Sequence, residues 1–323
     1  MRQKPGSRVF LVLVLTCCLL FMCSGTAFAR SEQTGVKKEY TCVKAPQVAL
    51  PRVQTDIKQT SARKPAAKPI CPAGQVPQPV AKKSGKHAPP MPQQATISAG
   101  YHYVTGIQNV ESLGTPADFT QHQPYLSSQD YHTLAEIAAL NYGPHGRQIV
   151  EIGWTVDRAV NNGDDKPHLF VFSWVNDQGN CYNGCGFVQV SNAHYPGMQL
   201  ASDGSLHHYA IYHYQGNWWL NYDNDWIGYF PDSIWTSKGE DFSKTTQLQW
   251  FGEVASGGGS HTQMGNGIFG SQNGSARIQS MYVYTTANTA VTANVNVSAG
   301  ETSCFDYGWI QQPNAFRYGG PGC

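Results

Sequence analysis

Beyond Met22 the sequence has no apolar run long enough to cross a bilayer, which excludes a helical membrane span in the mature chain. There is no HExxH histidine pair and no second close-spaced cysteine pair, so the common zinc arrangements are excluded. No Gly-x-Ser-x-Gly elbow places a serine nucleophile, and no glycine-rich loop follows a strand to cradle phosphate. His207, His208 and His213 lie close in sequence, but His207 and His213 are six positions apart on one strand face and no carboxylate completes a ligand set. No metal and no cofactor is expected. Sustained helical periodicity is also missing, which argues against a bundle or an α/β sheet.

What is present begins with a secretory pattern at residues 1–29. Arg2, Lys4 and Arg8 supply the positive end, Val9–Met22 the apolar run and Ala27-Phe28-Ala29 the small-x-small cleavage site. The expected destination is therefore extracellular, with no stable membrane anchor. Six cysteines remain after the signal, an even number suited to disulfides in an oxidising compartment. Cys181-x3-Cys185 reads as a small disulfide-closed loop, or else as half of a metal site with no second half. Taken as a loop, it leaves Cys304 with Cys323 at the C-terminus, and Cys42 with Cys71.

Charge divides the chain. Residues 30–95 carry 12 Lys/Arg against 3 Asp/Glu, a net of +9. Residues 96–323 carry 7 against 18, a net of −11. A basic stretch can be a solvated tail or can touch nucleic acid or membrane. Joined to an acidic domain, it can also dock on that domain. The second use is preferred here, and no nucleic-acid partner is expected. Lys64–Pro69 and Ala88–Pro92 are extended, linker-like pieces, and little regular structure is expected before about residue 97. Three parts follow: a signal at 1–29, a basic Pro/Lys-rich pro-segment and linker at 30–97, and a β-domain at 98–323.

Within 98–323, short runs rich in aromatic and β-branched residues are punctuated by Gly, Asn and Asp. They read as strands at His102–Thr105, His132–Ala139, Gln148–Val156, His168–Val175, Gly186–Val190, His207–Tyr214, Asn217–Asn221, Trp226–Tyr229, Gln247–Val254, Arg277–Tyr284 and Ala290–Val297. His132–Ala139 also fits helical spacing through Leu134, Ile137 and Ala138. The fold class is all-β, an antiparallel sandwich of two packed sheets.

Two strands carry unusual carboxylates. In Gln148–Val156, Val150, Ile152, Trp154 and Val156 share one face, while Ile149, Glu151, Gly153 and Thr155 share the other. In Gln247–Val254, Gln249, Phe251 and Glu253 share a face. Each Glu sits mid-strand beside a Gly, which reads as open space at a cleft. Two carboxylates facing one cleft suit acid–base chemistry, because burial and mutual repulsion separate their pKa values. Gly257-Gly258-Gly259, just past Glu253, reads as a flexible loop.

The order of several motifs resembles the neprosin family of glutamic peptidases. They are Leu134-Ala-Glu-Ile-Ala138, Val150-Glu-Ile-Gly-Trp-Thr-Val156, Pro167-His-Leu-Phe-Val171 with Trp174, and Cys181-Tyr-Asn-Gly-Cys-Gly-Phe-Val188. Gly216-Asn-Trp-Trp-Leu220, Trp226-Ile-Gly-Tyr-Phe-Pro231, Trp250-Phe-Gly-Glu-Val254, Thr262-Gln-Met-Gly-Asn-Gly267 and Phe316–Cys323 follow in order. The resemblance implies a secreted zymogen with a β-sandwich catalytic domain and a concave cleft. It implies cleavage of peptides after proline at acidic pH by two glutamates, which map to Glu151 and Glu253. It also maps the family's short cysteine loop to Cys181 and Cys185, and its C-terminal bridge to Cys304 and Cys323. Plant-type members usually have Gln at Thr155 and Gly at Phe251, and a cysteine loop one residue longer. Thr155 and Phe251 border the expected cleft and are candidate substrate-binding positions.

The expected mechanism is peptide hydrolysis without a covalent intermediate. One ionised glutamate takes a proton from water while the other, protonated, polarises the scissile carbonyl. The expected partners are a Pro-containing peptide or protein substrate and the chain's own basic pro-segment as inhibitor. The rival readings are a non-catalytic sandwich that binds glycan through its Trp/Tyr meander, and a two-carboxylate glycosidase.

Overall fold

Alternating side chains decide the architecture. In a computed structural model, which describes residues 40–52, 68–82, 100–286 and 289–323, Val150, Ile152, Trp154 and Val156 are wholly buried in one large core. Ile149, from the opposite face of the same strand, belongs to a second, smaller cluster. The signal and Ala88–Pro92 lie outside the described residues.

β1 (Tyr40–Lys44) and β2 (Gln75–Pro79) come first. Next are β3 (Tyr101–Ser112), β4 (Gly114–Thr120), β5 (His132–Gly143), β6 (Gly146–Val156) and β7 (His168–Val175), then the short β8 (Gln178–Gly179) and β9 (Val188–Gln189). β10 (Leu206–His213), β11 (Asn217–Tyr222) and β12 (Asp225–Pro231) form a meander, and one helical turn, α1 (Ser233–Thr236), leads towards β13 (Thr245–Ala255). β14 (Ala276–Gln279), β15 (Tyr282–Tyr284), β16 (Ala290–Thr292), β17 (Asn296–Ala299), β18 (Asp306–Gln311) and β19 (Ala315–Gly319) complete the chain.

Two antiparallel sheets pack face to face. One runs β17-β3-β13-β5-β6-β7-β8, and the other β18-β19-β14-β4-β10-β11-β12-β9, with β15 and β16 attached beside β4. The large core between them takes Trp154 and Trp250 from the first sheet and Trp218, Phe119 and Phe316 from the second. Burial of such rings is a main source of stability. The meander's Trp218 and Trp219 are buried in packing, so these rings offer no exposed stacking platform. His132–Gly143 is a strand, which settles its ambiguous periodicity.

The structure corrects several expectations. Arg277–Tyr284 is broken by Ser280, whose φ is +55°, into β14 and β15. Ala290–Val297 likewise divides between the two sheets as β16 and β17. β4, β18 and β19 are strands the pattern does not announce. Pro116 lies within β4, at the level left between the β14 and β15 pairings, which end at Asp118 and Gly114. That gap suits a residue with no N–H to give a second neighbour.

The basic segment also has regular structure. β1 pairs antiparallel with β2, from Tyr40↔Pro79 to Lys44↔Gln75. A lone two-stranded ribbon is marginal in water, but Cys42–Cys71 closes this one. Asn192 holds it to the domain through hydrogen bonds from Cys71 N (2.7 Å) and to Cys71 O (2.8 Å). Cys181–Cys185 and Cys304–Cys323 are also bonded.

Gly153 is required for a different reason from the expected open space. A Cβ there would lie 2.1 Å from Ala135 O and 2.6 Å from Glu136 Cβ. The glycine lets β5 and β6 approach. Gly252 points to the other face, where a Cβ would meet the Tyr318 ring at 2.5 Å. Gly153→Ala should therefore destabilise the fold by about 1–3 kcal/mol, the usual cost of overpacking, read as a lower urea midpoint at unchanged slope.

Candidate active site

The register of the first sheet lays out its outer face row by row. Ile107, Gln249, Ala138, Glu151 and Phe172 are successive cross-strand partners. The next row is Thr105, Phe251, Glu136, Gly153 and Phe170, and the third is Tyr103, Glu253, Leu134, Thr155 and His168. Glu151 and Glu253 thus share a face, as the alternation requires, but β5 stands between their strands. A third carboxylate, Glu136, occupies the diagonal step between them. Thr155 lies on the level of Glu253, and Phe251 lies directly beside Glu136.

Each acid has a different setting. Glu253 is 1% exposed, and its Oε1 is 2.7 Å from His132 Nε2. The Tyr103 hydroxyl also hydrogen-bonds Glu253. Burial acts to lower the His132 pKa, but the hydrogen bond to Glu253 and the charges of Glu253 and Asp157 outweigh it. The imidazole lies above its ordinary value. His132 and Glu253 therefore form a buried ion pair. Glu151 is fully buried and accepts a hydrogen bond from Trp174 Nε1 at 2.8 Å. Burial pushes its pKa up to about 8, against the lowering effects of Trp174 and the Arg147 charge. One acid is bonded to an imidazole whose pKa is raised, and another keeps its proton into the neutral range.

Tyr182, from the Cys181–Cys185 loop, is buried beside this face, 5.6 Å from the Phe170 ring and 5.2 Å from Phe172. The neighbouring chain is Ala81–Lys82. Lys82 N donates to Tyr182 O at 3.0 Å, and Tyr182 N donates back to Lys82 O at 2.9 Å. The Gly257–Gly259 loop is pinned rather than free: Gly257 N and Gly259 N each donate to Asp130 Oδ1 at 2.8 Å. Thr155 Oγ1 is buried without a hydrogen-bond partner among the described residues.

The histidines do not converge on a metal. His207, His208 and His213 pair separately with Asp223, Asp118 and Asp232. His102, Glu301 and Cys323 come together, but the Cys323 sulfur is bonded to Cys304 and is no thiolate ligand.

Residues 129–321 match the neprosin family, over more than half of the chain. The chain belongs to the neprosin family. Among solved structures, this neprosin-family chain is similar to a scytalido-glutamic peptidase with a peptide-based transition-state analogue. That match has 7% identity and a TM-score of 0.39, and it covers 68% of this chain and 98% of the other. It is also similar to SCP-B, an eqolisin-family peptidase in complex with a tripeptide, at 8% identity and a TM-score of 0.37, with 68% and 98% covered. Likenesses this distant carry no weight for the chemistry.

Sequence alternation found Glu151 and Glu253 but not Glu136, His132, Trp174 or Tyr182. Reading His132–Ala138 with period 2 puts His132 and Glu136 on one face, the signal that the helical alternative concealed.

These protonation states tie stability to pH. Folding raises the Glu151 pKa from 4.5 to about 8, so the folded state binds this proton more tightly than the unfolded chain. The contribution is complete below about pH 4.5 and is lost as pH rises through about 8. His132, also raised, acts in the same sense: its contribution is present below its ordinary value and lost through its raised one. The Tm should therefore be higher near pH 5 than near pH 8.5, and Glu151→Gln should flatten that difference. A Tm that rises across this range would contradict the assignment.

Proposed function

We propose that the protein is a secreted glutamic endopeptidase that works at acidic pH through Glu151 and Glu253. The observation that carries this reading is the contrast between two buried acids on one sheet face of a neprosin-family domain. Glu253 is bonded to His132, an imidazole whose pKa is raised, and burial raises the Glu151 pKa to about 8. We base the roles on that contrast. Glu253 takes a proton from water as the water oxygen bonds to the scissile carbonyl carbon. Glu151 donates a hydrogen bond to the developing oxyanion. Collapse of the tetrahedral adduct breaks the C–N bond, and the proton on Glu253 passes to the leaving amine. The products are a carboxyl and an amine terminus.

Cleavage after proline is the preference implied by the family resemblance, with Thr155 and Phe251 as the positions that tune it. The Thr155 hydroxyl, on the level of Glu253 and without a hydrogen-bond partner among the described residues, is available to a bound peptide. The N-terminal segment acts as the inhibitor in this reading. Its Lys82 exchanges two backbone hydrogen bonds with Tyr182, much as an added strand binds an edge, beside a face whose acids are all buried. The prolines around Pro89–Pro92, which lie outside the described residues, are the candidate self-cleavage points in this reading.

Glu151→Gln and Glu253→Gln should each lower kcat on a Pro-containing peptide by about 10²–10⁴-fold, the usual scale of acid–base groups, while near-UV circular dichroism stays unchanged. Near-wild-type turnover in both variants would defeat the reading, and mass spectrometry of the fragments would read the proline preference directly.

On acidification the full chain should lose N-terminal mass, and the Glu253→Gln variant should not. Equal loss in both would exclude self-processing.

A further inference from the structure

β5 contributes an acid of its own. Its outer-face residues are His132, Leu134, Glu136 and Ala138, so Glu136 is flanked along the strand by two apolar side chains. Across the sheet it faces Phe251 on one side and Gly153 on the other. The diagonal neighbours on those strands are Glu253 and Glu151. Diagonal partners in a sheet lie about 7–8 Å apart, within reach of two glutamate side chains. A peptide bound between Glu253 and Glu151 therefore passes over Glu136.

The state of this carboxyl follows from what surrounds it. Glu136 is 1% exposed. The ionisable groups that act on this face include Glu151 from β6, Glu253 from β13, Tyr103 from β3 and Tyr182 from the cysteine loop, with His132 on its own strand. His132 is already 2.7 Å from Glu253, and Arg147, on β6, is paired with Asp177, so both cations are committed to other acids. Burial, then the Glu151 and Glu253 charges, push the Glu136 pKa well above the carboxylate range. An ionised Glu136 would be a third buried charge without a counter-ion, which is strongly unfavourable.

A carboxyl group with a purely structural role has its polar atoms satisfied by neighbours. Glu136 Oε2 is buried and has no hydrogen-bond partner among the described residues. A polar atom left open in this position has a use when something else binds.

We propose that Glu136 is a third working acid of this site: an uncharged carboxyl group whose O–H donates a hydrogen bond to a carbonyl oxygen of the bound peptide. The role rests on the peptidase reading above. It differs from that of Glu253, which exchanges a proton, and from that of Glu151 in place: Glu151 donates to the oxyanion at the reacting bond, where the acidity of the donor counts, whereas Glu136 donates to a peptide carbonyl away from that bond, where an amide donor serves as well.

The distinction dictates the test. Glutamine keeps the shape and a donor, whereas methionine keeps the size and removes the donor. On a Pro-containing peptide at acidic pH, Glu136→Gln should retain kcat/KM within about threefold and leave both limbs of the pH profile in place. Glu136→Met should lose about 10-fold or more, the cost of leaving a buried peptide carbonyl without its hydrogen bond, with an unfolding midpoint at or above that of wild type.

Infrared spectroscopy of the resting full-length protein near pH 6 gives a readout free of catalysis and of the methionine variant. Wild type should show absorption from two buried protonated carboxyls, Glu136 and Glu151, and Glu136→Gln should lose the part that belongs to Glu136. Full activity in Glu136→Met, a Glu136→Gln variant as inactive as Glu253→Gln, a shifted pH limb in Glu136→Gln, or no lost infrared band would each overturn the proposal. Failure of the peptidase reading is recognised separately, by full activity in both Glu151→Gln and Glu253→Gln.

Discussion

The registration of β13, β5 and β6 is the constraint on which the site depends. A shift of one residue in any of these strands would send its acid to the opposite face, among Trp154, Trp250 and Ile137 in the main core. That core fixes the register, because a slip would also bring Glu136 or Glu253 inside without a partner. The close approach of β5 and β6 at Gly153 adds a steric lock, since no side chain fits there. Packing on the hidden face thus places the carboxylates on the working face.

Much of this was legible from alternation alone. The strands around Glu151 and Glu253 have near-perfect period-2 patterns, and their core faces are those the structure places in the main core. Legibility failed where one physical signal could be produced by two causes. Leu134, Ile137 and Ala138 suit a helix as well as a fully buried strand, because both faces of β5 are apolar. Glu136 was hidden by that ambiguity. β4 was missed because Gly114, Pro116 and Asp118 have the composition of a turn, and only the tertiary gap beside Pro116 makes a strand possible there. Gly153 was read as empty space, but a glycine in a strand equally marks a neighbour that comes too close for a Cβ.

The N-terminal segment shows a related limit. Its +9 against −11 pointed to docking by charge. The described contacts are instead directional: the Lys82–Tyr182 backbone exchange, the Asn192 amide clamp on Cys71, and Ala81 packed against Gly184 so closely that a Cβ on that glycine would lie 2.3 Å from the alanine Cβ. Net charge governs long-range attraction and is weakened by salt. It does not specify a register, and a register is what holds Lys82 beside the cysteine loop. Charge and hydrogen bonding thus act at different ranges on the same segment.

On the reading proposed above, three buried acids facing one buried histidine tie the working protonation state to pH values below about 8, where Glu151 keeps its proton. A low-dielectric site tolerates charges when they are paired. His132 compensates one carboxylate, Glu253, and the remaining two acids avoid the cost by keeping their protons. The site is then neutral overall while still holding both a base and a donor, the combination that water activation and carbonyl polarisation need together. Raising the pH removes protons that the fold itself retains, so loss of the working protonation state and loss of stability arise from the same groups. Burying more acids than bases on one sheet face is sufficient to couple that protonation state to the fold.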